Sequence, residues 1–503
     1  MSLERASVVC IGAGPAGLAA AYLLSKQGAE VTVLERDPDK VGGISRTETY
    51  KGFSIDIGGH RFFSKSAEIE ALWTEILGDH LLERRRKSRI FYGGSFFDYP
   101  LRPVNAFRKL GAIESARCAL SYAKARLHPV KTPRNFEQWV TNRFGRRLFE
   151  IFFRTYTEKV WGLSCTEISA DWAAQRIKGL SLTQLIRHAL LPRRHHGGAV
   201  VKTLIDHFRY PSRGPGMMWA AAAEKVVGQG GTVLLDRQVV SVERDAAAGR
   251  WHVAATGKNG QEYRFACDHV ISTMPIRELI PALLPAAPPA TTAAASQLRY
   301  RDFLIVALIL KDRKLFDDNW IYIHDPRFKV GRIQNFKSWS PELVPDPTLN
   351  CYGMEYFCFE SDELWSCSDE VLVQIATGEL IALGLARDEE ILDGTVIRQV
   401  KAYPVYDQHY QDHLVTIRDA VRKLYPNLHL VGRNGMHKYN NQDHAMMTGM
   451  LAARNILAGR QLYDVWQVNQ DAEYHEAGVT GVLPLPDRHL PPRGQRQTAP
   501  APV

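Results

Sequence analysis

Apolar residues recur along this chain with two different periods. Ser7–Gly12 (SVVCIG) is a short unbroken apolar run, the pattern of a parallel strand buried on both faces. Ala16–Lys26 follows with helical character and Glu30–Leu34 (EVTVL) is the next strand, so a βαβ unit closes within about 30 residues. From Leu72 to Leu127, and again from Phe136 to Leu190, the pattern predicts mostly helix and an inserted or second domain. Thr232–Val240, Trp251–Thr256, Glu262–Phe265 and His269–Ser272 alternate as strands of a sheet, with turns at Ala248-Gly249 and Asn259-Gly260. Leu304–Leu310 and Cys351–Phe359 predict further strands, and Gly449–Leu457 a final helix. After Leu483 the chain turns Pro-rich and polar, the composition of a disordered tail.

At 503 residues the chain is long enough for two or three structural units sharing one ligand. Hydrophobic residues make up 45% and charged residues 23%, an ordinary globular balance. No stretch approaches the roughly 18 to 20 apolar residues that cross a bilayer, and Met1–Ala6 does not read as a signal peptide, so no membrane partner and a cytoplasmic location are expected. Seven scattered cysteines, without CxxC or zinc spacing, read as reduced thiols, and no metal site is expected. The net charge of +9 is concentrated in runs at Glu83–Lys87, Arg143–Arg147 and Arg193–His196. No aromatic-basic interleave accompanies them, so solvated faces or attraction of a diphosphate are favoured over nucleic acid.

Gly12-Ala13-Gly14-Pro15-Ala16-Gly17 is a GxGxxG turn between the first strand and the first helix. Gly12 permits the tight turn, Gly14 lets the backbone approach a pyrophosphate, and Gly17 lets helix and strand pack closely. Glu35 closes the second strand, where a carboxylate accepts from ribose hydroxyls and repels a 2′-phosphate. These residues specify an unphosphorylated ADP moiety and leave NAD and FAD open.

Val41-Gly42-Gly43-Ile44-Ser45-Arg46-Thr47 resembles the GGxxRT motif of the amine-oxidase and glutathione-reductase-like flavoproteins. Asn427–Gly432 (NLHLVG), followed by a helix, and Ile271–Pro275 (ISTMP) resemble other FAD-domain segments of that superfamily. The cofactor this implies is FAD, with Arg36, Gly43 and Arg46 joining Gly12, Gly14, Gly17 and Glu35 in holding it. The expected architecture is α/β: a Rossmann-like FAD-binding domain, a helical domain and an antiparallel substrate-facing sheet. The FAD domain is assigned residues 1–70, 206–300 and 401–465, the helical domain 71–205, the sheet 301–400 and a tail 466–503.

Several segments resemble the UDP-galactopyranose mutase family, most closely its eukaryotic-type branch. Ile57-Gly58-Gly59-His60 is similar to its GGH loop, Tyr156–Trp161 (YTEKVW) to its YxxKVW helix, and Phe208–Gly214 (FRYPSRG) to its FRFPARGG. Arg176 falls where that family has a diphosphate-binding arginine. Trp320–Tyr322 and Arg332–Phe336 (RIQNF) resemble the strand pair carrying the second one, and Tyr403-Pro404 a substrate tyrosine. Gly432–His444 (GRNGMHKYNNQDH) is similar to its GRxGxxxY…NQDH.

The resemblance implies a mutase that interconverts pyranose and furanose forms of a nucleotide-sugar, with FAD active when reduced and NAD(P)H a candidate reductant. N5 of the reduced flavin would attack the sugar's anomeric carbon, expel the nucleoside diphosphate, and let the opened ring reclose at the other size without net redox change. It places Gly59 and the His60 backbone at the flavin edge, makes Arg176 and Arg332 a diphosphate clamp, and gives Tyr322, Tyr403 and Tyr439 hydroxyls to the phosphates. Arginine suits this task because its planar fork pairs with phosphate oxygens and keeps its proton. Tyr99, Arg102, Tyr156, Trp161 and Asn335 would complete the substrate site, and Arg433, Asn441 and Gln442 the flavin site. Lys159 and Glu158 read as a helix-surface pair, and Trp172 as a core aromatic.

In Tyr99-Pro100-Leu101-Arg102-Pro103-Val104 the family's YPFQNN differs, and Arg102 stands where a uracil-reading amide is usual. Two residues are also missing between Tyr439 and Asn441, and Ser181–Tyr210, expected to cover substrate, has its own sequence. The base and sugar therefore stay open: a GDP-fucopyranose mutase, or a dTDP-deoxysugar enzyme, fits as well as a galactose one. The competing expectations are an FAD-dependent oxidoreductase of the amine-oxidase, protoporphyrinogen-oxidase or carotenoid-desaturase type, and a flavin-holding protein without turnover.

Overall fold

The computed structural model describes residues 6–170, 172 and 207–469. Arg176, most of the Ser181–Tyr210 segment and the tail beyond Leu483 lie outside the described residues.

Ser7–Ile11 is buried at every position and forms the middle of a five-stranded parallel sheet. Its order is Leu428–Leu430, His269–Ser272, Ser7–Ile11, Glu30–Leu34, Thr232–Leu234. Four distant parts of the chain meet in these strands, so the cofactor domain is one unit built from separated segments. Helix Pro15–Lys26 leaves the central strand and packs against helix Gln442–Leu457, with Leu18, Leu24, Met446 and Met450 in the shared core. The two helices approach so closely that a Cβ on Gly449 would sit 2.1 Å from the Ala16 carbonyl oxygen. Helix Gln442–Leu457 begins at Gln442 rather than at Gly449, because Asn441 caps it and the polar NQDH residues form its first turn.

The second large sheet has seven strands, in the order Ile391–Pro404, Tyr300–Lys311, Leu349–Cys358, Arg332–Asn335, Trp320–Ile323, Ser88–Tyr92, Ser95–Tyr99. The strand Tyr300–Lys311, next to the edge strand Ile391–Pro404, is buried from Tyr300 to Leu310 and pairs antiparallel on both sides. A sheet is thus present in the region where an antiparallel one was expected, but it is mixed, since Trp320–Ile323 pairs parallel with Ser88–Tyr92, and Ile391–Pro404 runs past residue 400.

Two expectations are corrected. The stretch from Leu72 to Leu127 is helical only in its outer parts, Ala67–Leu77 and Pro103–Leu127: between them Leu81–Arg85, Ser88–Tyr92 and Ser95–Tyr99 are strands, the last two paired as a hairpin. Gly93 and Gly94 form its two-residue turn with φ of 56° and 75°, the geometry that matches strand twist and excludes most side chains. Thr232–Val240 is not one strand either. Thr232–Leu234 joins the parallel sheet, Gln238–Asp245 joins a separate four-stranded sheet, and Asp236 at φ 53° turns the chain between them. Helices Phe136–Phe144, Arg146–Phe149 and Thr155–Trp161 occur within the expected helical region. Among the described residues, no helix is long and apolar enough to cross a membrane.

Candidate functional site

Two cavities abut between the parallel sheet and the seven-stranded sheet. The first, about 510 Å³, is lined by Gly12, Gly14, Glu35, Arg36, Gly43 and Arg46, and farther along by Thr273, Gly432 and Arg433. The second, about 450 Å³, is lined by Gly59, Tyr156, Trp161, Tyr322, Arg332, Tyr403 and Tyr439. Ile44, His60, Arg433 and Gln442 line both.

At the first cavity the three glycines of the turn meet different surroundings, and only Gly12 and Gly14 line it. Gly12 has φ +94°, and a Cβ there would meet Thr273 Oγ1 at 2.1 Å; a Cβ on Gly17 would meet the Gly12 carbonyl oxygen at 2.0 Å. Gly17 is thus a packing glycine, off the cavity wall. A Cβ on Gly14 has only Gly43 Cα nearby, at 4.0 Å, so this position faces the space a ligand would fill. Glu35 is buried, and the Ala13 N–H donates to its Oε2 at 2.7 Å while Asp37 N–H donates to Oε1 at 3.0 Å. Its carboxylate therefore holds the glycine turn as well as facing the cavity. Arg46 donates to the Gly43 carbonyl at 3.0 Å and to Gln399 Oε1 at 2.7 Å.

At the junction, the His60 ring contacts the Ile57 carbonyl through Nε2 at 2.8 Å and Ser45 Oγ through Nδ1 at 3.4 Å. Burial first, then the neighbouring Arg433 and Arg332 guanidiniums, push its pKa down to about 4, so the ring is neutral near pH 7. Arg433 is fixed by donating to the carbonyls of Asn440 at 2.9 Å and Ala402 at 3.0 Å, and its guanidinium lies 4.9 Å from the Tyr439 ring centroid. Gln442 donates to the Arg61 carbonyl at 3.0 Å, while its Oε1 is buried with no hydrogen-bond partner among the described residues.

The second cavity is built on Arg332. Its Nε donates to Glu355 Oε2 at 2.5 Å, and Gln334 donates to the other carboxylate oxygen at 2.5 Å. Glu355 is fully buried, so both of its oxygens are satisfied inside the sheet and the arginine is held in one orientation. Tyrosines line the space around it: Tyr322 packs edge-on against both Tyr99 and Tyr156, and Tyr403 stacks on Tyr439 at 5.6 Å. Trp161 and Trp172, edge-to-face at 5.0 Å, also line the wall, so Trp172 is more than a core aromatic. Five cationic side chains line this cavity: Arg61, Lys65, Arg86, Arg332 and Arg433. Asp443 is the one acid among its described lining residues; burial raises its carboxyl to about 6.

A model of the flavin-containing amine oxidoreductases matches residues 15–457. The chain belongs to this family. FAD is its cofactor, and the first cavity fits it, with an open face at Gly14, a carboxylate at Glu35, and the orphaned Gln442 oxygen where the two cavities meet. Among relatives of this flavoenzyme is a probable UDP-galactopyranose mutase of Klebsiella pneumoniae, 25% identical over 175 residues, which cover 34% of this chain and 44% of that protein. A coproporphyrinogen III oxidase of Mycobacterium bovis is 25% identical over 443 residues, 82% of this chain and 90% of its own. The chain spans about half the length of the first relatives it matches. A crystal structure of reduced UDP-galactopyranose mutase has the same fold, with TM-score 0.81 and 23% identity over 94% of this chain and 98% of that one.

Three sequence-based assignments do not survive in this flavoenzyme's geometry. Arg102 is exposed at the start of helix Pro103–Leu127, and Leu101 lines the cavity instead. Asn335 is buried away from both cavities and donates to the Phe316 carbonyl at 3.1 Å. Lys159 is no surface partner of Glu158: its ammonium donates to the carbonyls of Ile323, Asp325 and Val330 at 3.0, 2.8 and 3.3 Å, and burial lowers its pKa to about 8. Phe208–Gly214 lines neither cavity, and its Tyr210 donates to the buried Asp56 carboxylate.

Sequence reasoning missed Arg86. It was grouped with a basic run, but its guanidinium lies 5.2 Å from the Tyr99 ring centroid and 5.6 Å from that of Trp320, and its Nε is buried without a partner among the described residues. Alternation in the strand Leu81–Arg85 and the residues after it was the available signal, because neighbouring basic residues there face opposite sides.

Proposed function

We propose that this flavoenzyme is a nucleotide-sugar mutase, interconverting pyranose and furanose forms of a sugar carried on a nucleoside diphosphate. The observation that carries this reading is the cationic, tyrosine-lined cavity that opens at His60 and Arg433 onto the FAD cavity. A diphosphate is the ligand that such a wall suits: Arg332 presents a fixed guanidinium, and Tyr156, Tyr322, Tyr403 and Tyr439 offer hydroxyl donors. Charge-assisted hydrogen bonds of this kind are worth about 1.5–3 kcal/mol each, and they strengthen as the bond to the sugar breaks and negative charge builds on the leaving phosphate. An amine substrate, itself a cation, would meet five positive side chains against one acid.

When bound and reduced, FAD supplies an electron-rich nitrogen able to share its electrons with a carbon that loses its oxygen substituent. The chain's own part is to bind and orient. Arg332 and the tyrosines grip the diphosphate; Trp161 and Trp172 wall the sugar from water; the neutral His60 leaves the junction free of a further charge. Arg86, beside Tyr99, faces the nucleotide end. The GDP-fucose and UDP-galactose forms of the proposal share this chemistry and differ only at that end.

The test is a screen of UDP-, GDP- and dTDP-sugars with dithionite-reduced enzyme, ring size being read by proton NMR. Conversion of one of them supports the proposal; conversion of none overturns it. The second reading is a flavin oxidase acting on a polyanion, favoured by the coproporphyrinogen oxidase likeness over 82% of the chain. It would announce itself as hydrogen peroxide released in proportion to product.

A further inference from the structure

The helix that follows the cavity wall is turned inside out. Within Pro103–Leu127 the chain breaks at Gly111, φ 78°, and the segment beyond it buries Cys118 and Ala125 on its inner side. The Arg147 N–H donates to Ser121 Oγ at 3.0 Å, anchoring this inner side to the body. On the opposite side stand Ile113, Leu120 and Leu127, with 75%, 72% and 76% of their surface exposed. Spaced by seven, they drift only about 20° per step and form one stripe about 21 Å long. Ala116 and Ala123 are exposed beside them and widen the apolar arc to roughly a third of the helix circumference.

Both margins of this arc are basic. At 100° per residue, Arg117 and Lys124 border it on one side and Arg126 on the other, all three exposed. The nearby acid, Glu114, is drawn off the arc, held by Arg147 as well as by Arg117. Apolar surface facing solvent along a whole helix, with cations on both flanks, is the pattern of a helix lying in a membrane–water interface. Solvent exposure of such a stripe is unfavourable unless something covers it. A second copy of this chain would set the same cations against one another across the pairing, whereas anionic lipid headgroups complement both flanks at once.

We propose that the helical segment 112–127 docks this flavoenzyme on the surface of anionic lipid membranes, with Ile113, Leu120 and Leu127 inserted among the acyl chains. The protein lies on the bilayer and does not cross it. Tyr99 and Leu101, which line the second cavity, lead through the first part of helix Pro103–Leu127 and its break at Gly111 into this segment, so docking brings the cavity toward the membrane.

The experiment is co-sedimentation of the full-length, FAD-loaded protein with sucrose-loaded vesicles of phosphatidylcholine alone or enriched in phosphatidylglycerol. Binding to the anionic vesicles at least about tenfold tighter than to neutral ones, weakened by salt, is expected. Replacing Ile113→Ser, Leu120→Ser and Leu127→Ser together should abolish it, and Arg117→Glu with Lys124→Glu should reduce it about tenfold or more. Because these positions are exposed, both variants should keep their flavin absorbance and melting temperature. Absence of vesicle binding at low salt, or unchanged binding by the serine variant, would overturn the proposal. So would sedimentation velocity showing a native dimer that the serine variant dissociates, since the stripe would then be covered by a second copy.

Discussion

Arg332 donates through Nε to Glu355 at 2.5 Å, while its η2 nitrogen lies beside Gly58, 3.8 Å from where a Cβ on that glycine would sit. One end of the guanidinium is thus tied to a buried carboxylate and the other is turned to the glycine loop that leads to His60. The ion pair matters for stability too. Removing one member of a buried pair leaves the other uncompensated and costs about 3–5 kcal/mol. Arg332→Ala should therefore lower urea stability by several kcal/mol as well as remove turnover. Arg332→Lys keeps a charge for Glu355 but loses the fork, so it should retain most of the stability and the flavin spectrum while kcat/KM falls at least about tenfold. Unchanged kcat/KM in the lysine variant would remove Arg332 from the proposed clamp.

The glycines of the first turn separate folding from cofactor binding. Gly14→Val places its side chain in open cavity and should give folded but colourless protein. Gly17→Ala drives a methyl into the Gly12 carbonyl oxygen, 2.0 Å away, and should lower the melting temperature of the apoprotein itself. Absorbance at the flavin band and apoprotein melting curves check both. Full flavin content in Gly14→Val would show that the pyrophosphate lies elsewhere.

Asp56 gives the protein a signed pH dependence. Burial raises its carboxyl to about 7, although Tyr210 and Thr47 donate to it. In the unfolded chain the same group loses its proton near the usual carboxylate range, so the folded state binds the extra proton between about pH 4 and 7. This group's contribution is then largest at acid pH and declines by up to about 4 kcal/mol as pH rises through that window. Asp56→Asn should abolish this share: the stability difference between wild type and variant, from urea titrations, should shrink as pH rises. Parallel profiles would contradict it.

Arg86 and Arg102 make opposite predictions. Arg86→Ala should raise KM for a nucleotide-sugar about tenfold with little change in kcat, because the guanidinium flanks the cavity beside Tyr99. Arg102→Ala, at an exposed helix start, should stay within about twofold of wild type. Steady-state kinetics on the converted substrate decides between them; the reverse ranking would restore Arg102 as the nucleotide contact.

What the sequence revealed and hid follows from the range of the interactions involved. The GxGxxG turn, Glu35 and the buried strand Ser7–Ile11 are local, since the residues that bind and the residues that fold lie within one βαβ unit. Tyr156, Tyr322, Tyr403 and Tyr439 were identifiable by resemblance, and the fold brings them to one wall across nearly 300 residues of chain. Asn335 was misplaced because alternation sets its side chain on the face of the strand opposite to that of Gln334, toward Phe316. The Ser88–Tyr99 hairpin was hidden inside a region read as helix, although Gly93-Gly94 between alternating apolar residues is a hairpin signal. Arg86 was hidden by its neighbours, because a run of like charges says nothing about which member turns inward.

In the proposed reaction, bound FAD serves as a partner to the sugar without being consumed as an oxidant. The direct measurement is anaerobic turnover of the converted nucleotide-sugar, with the flavin spectrum followed throughout. Many conversions per enzyme from a single reduction are expected, the flavin ending as reduced as it began. One equivalent of product per flavin, with the cofactor's oxidation state changed at the end, would contradict it.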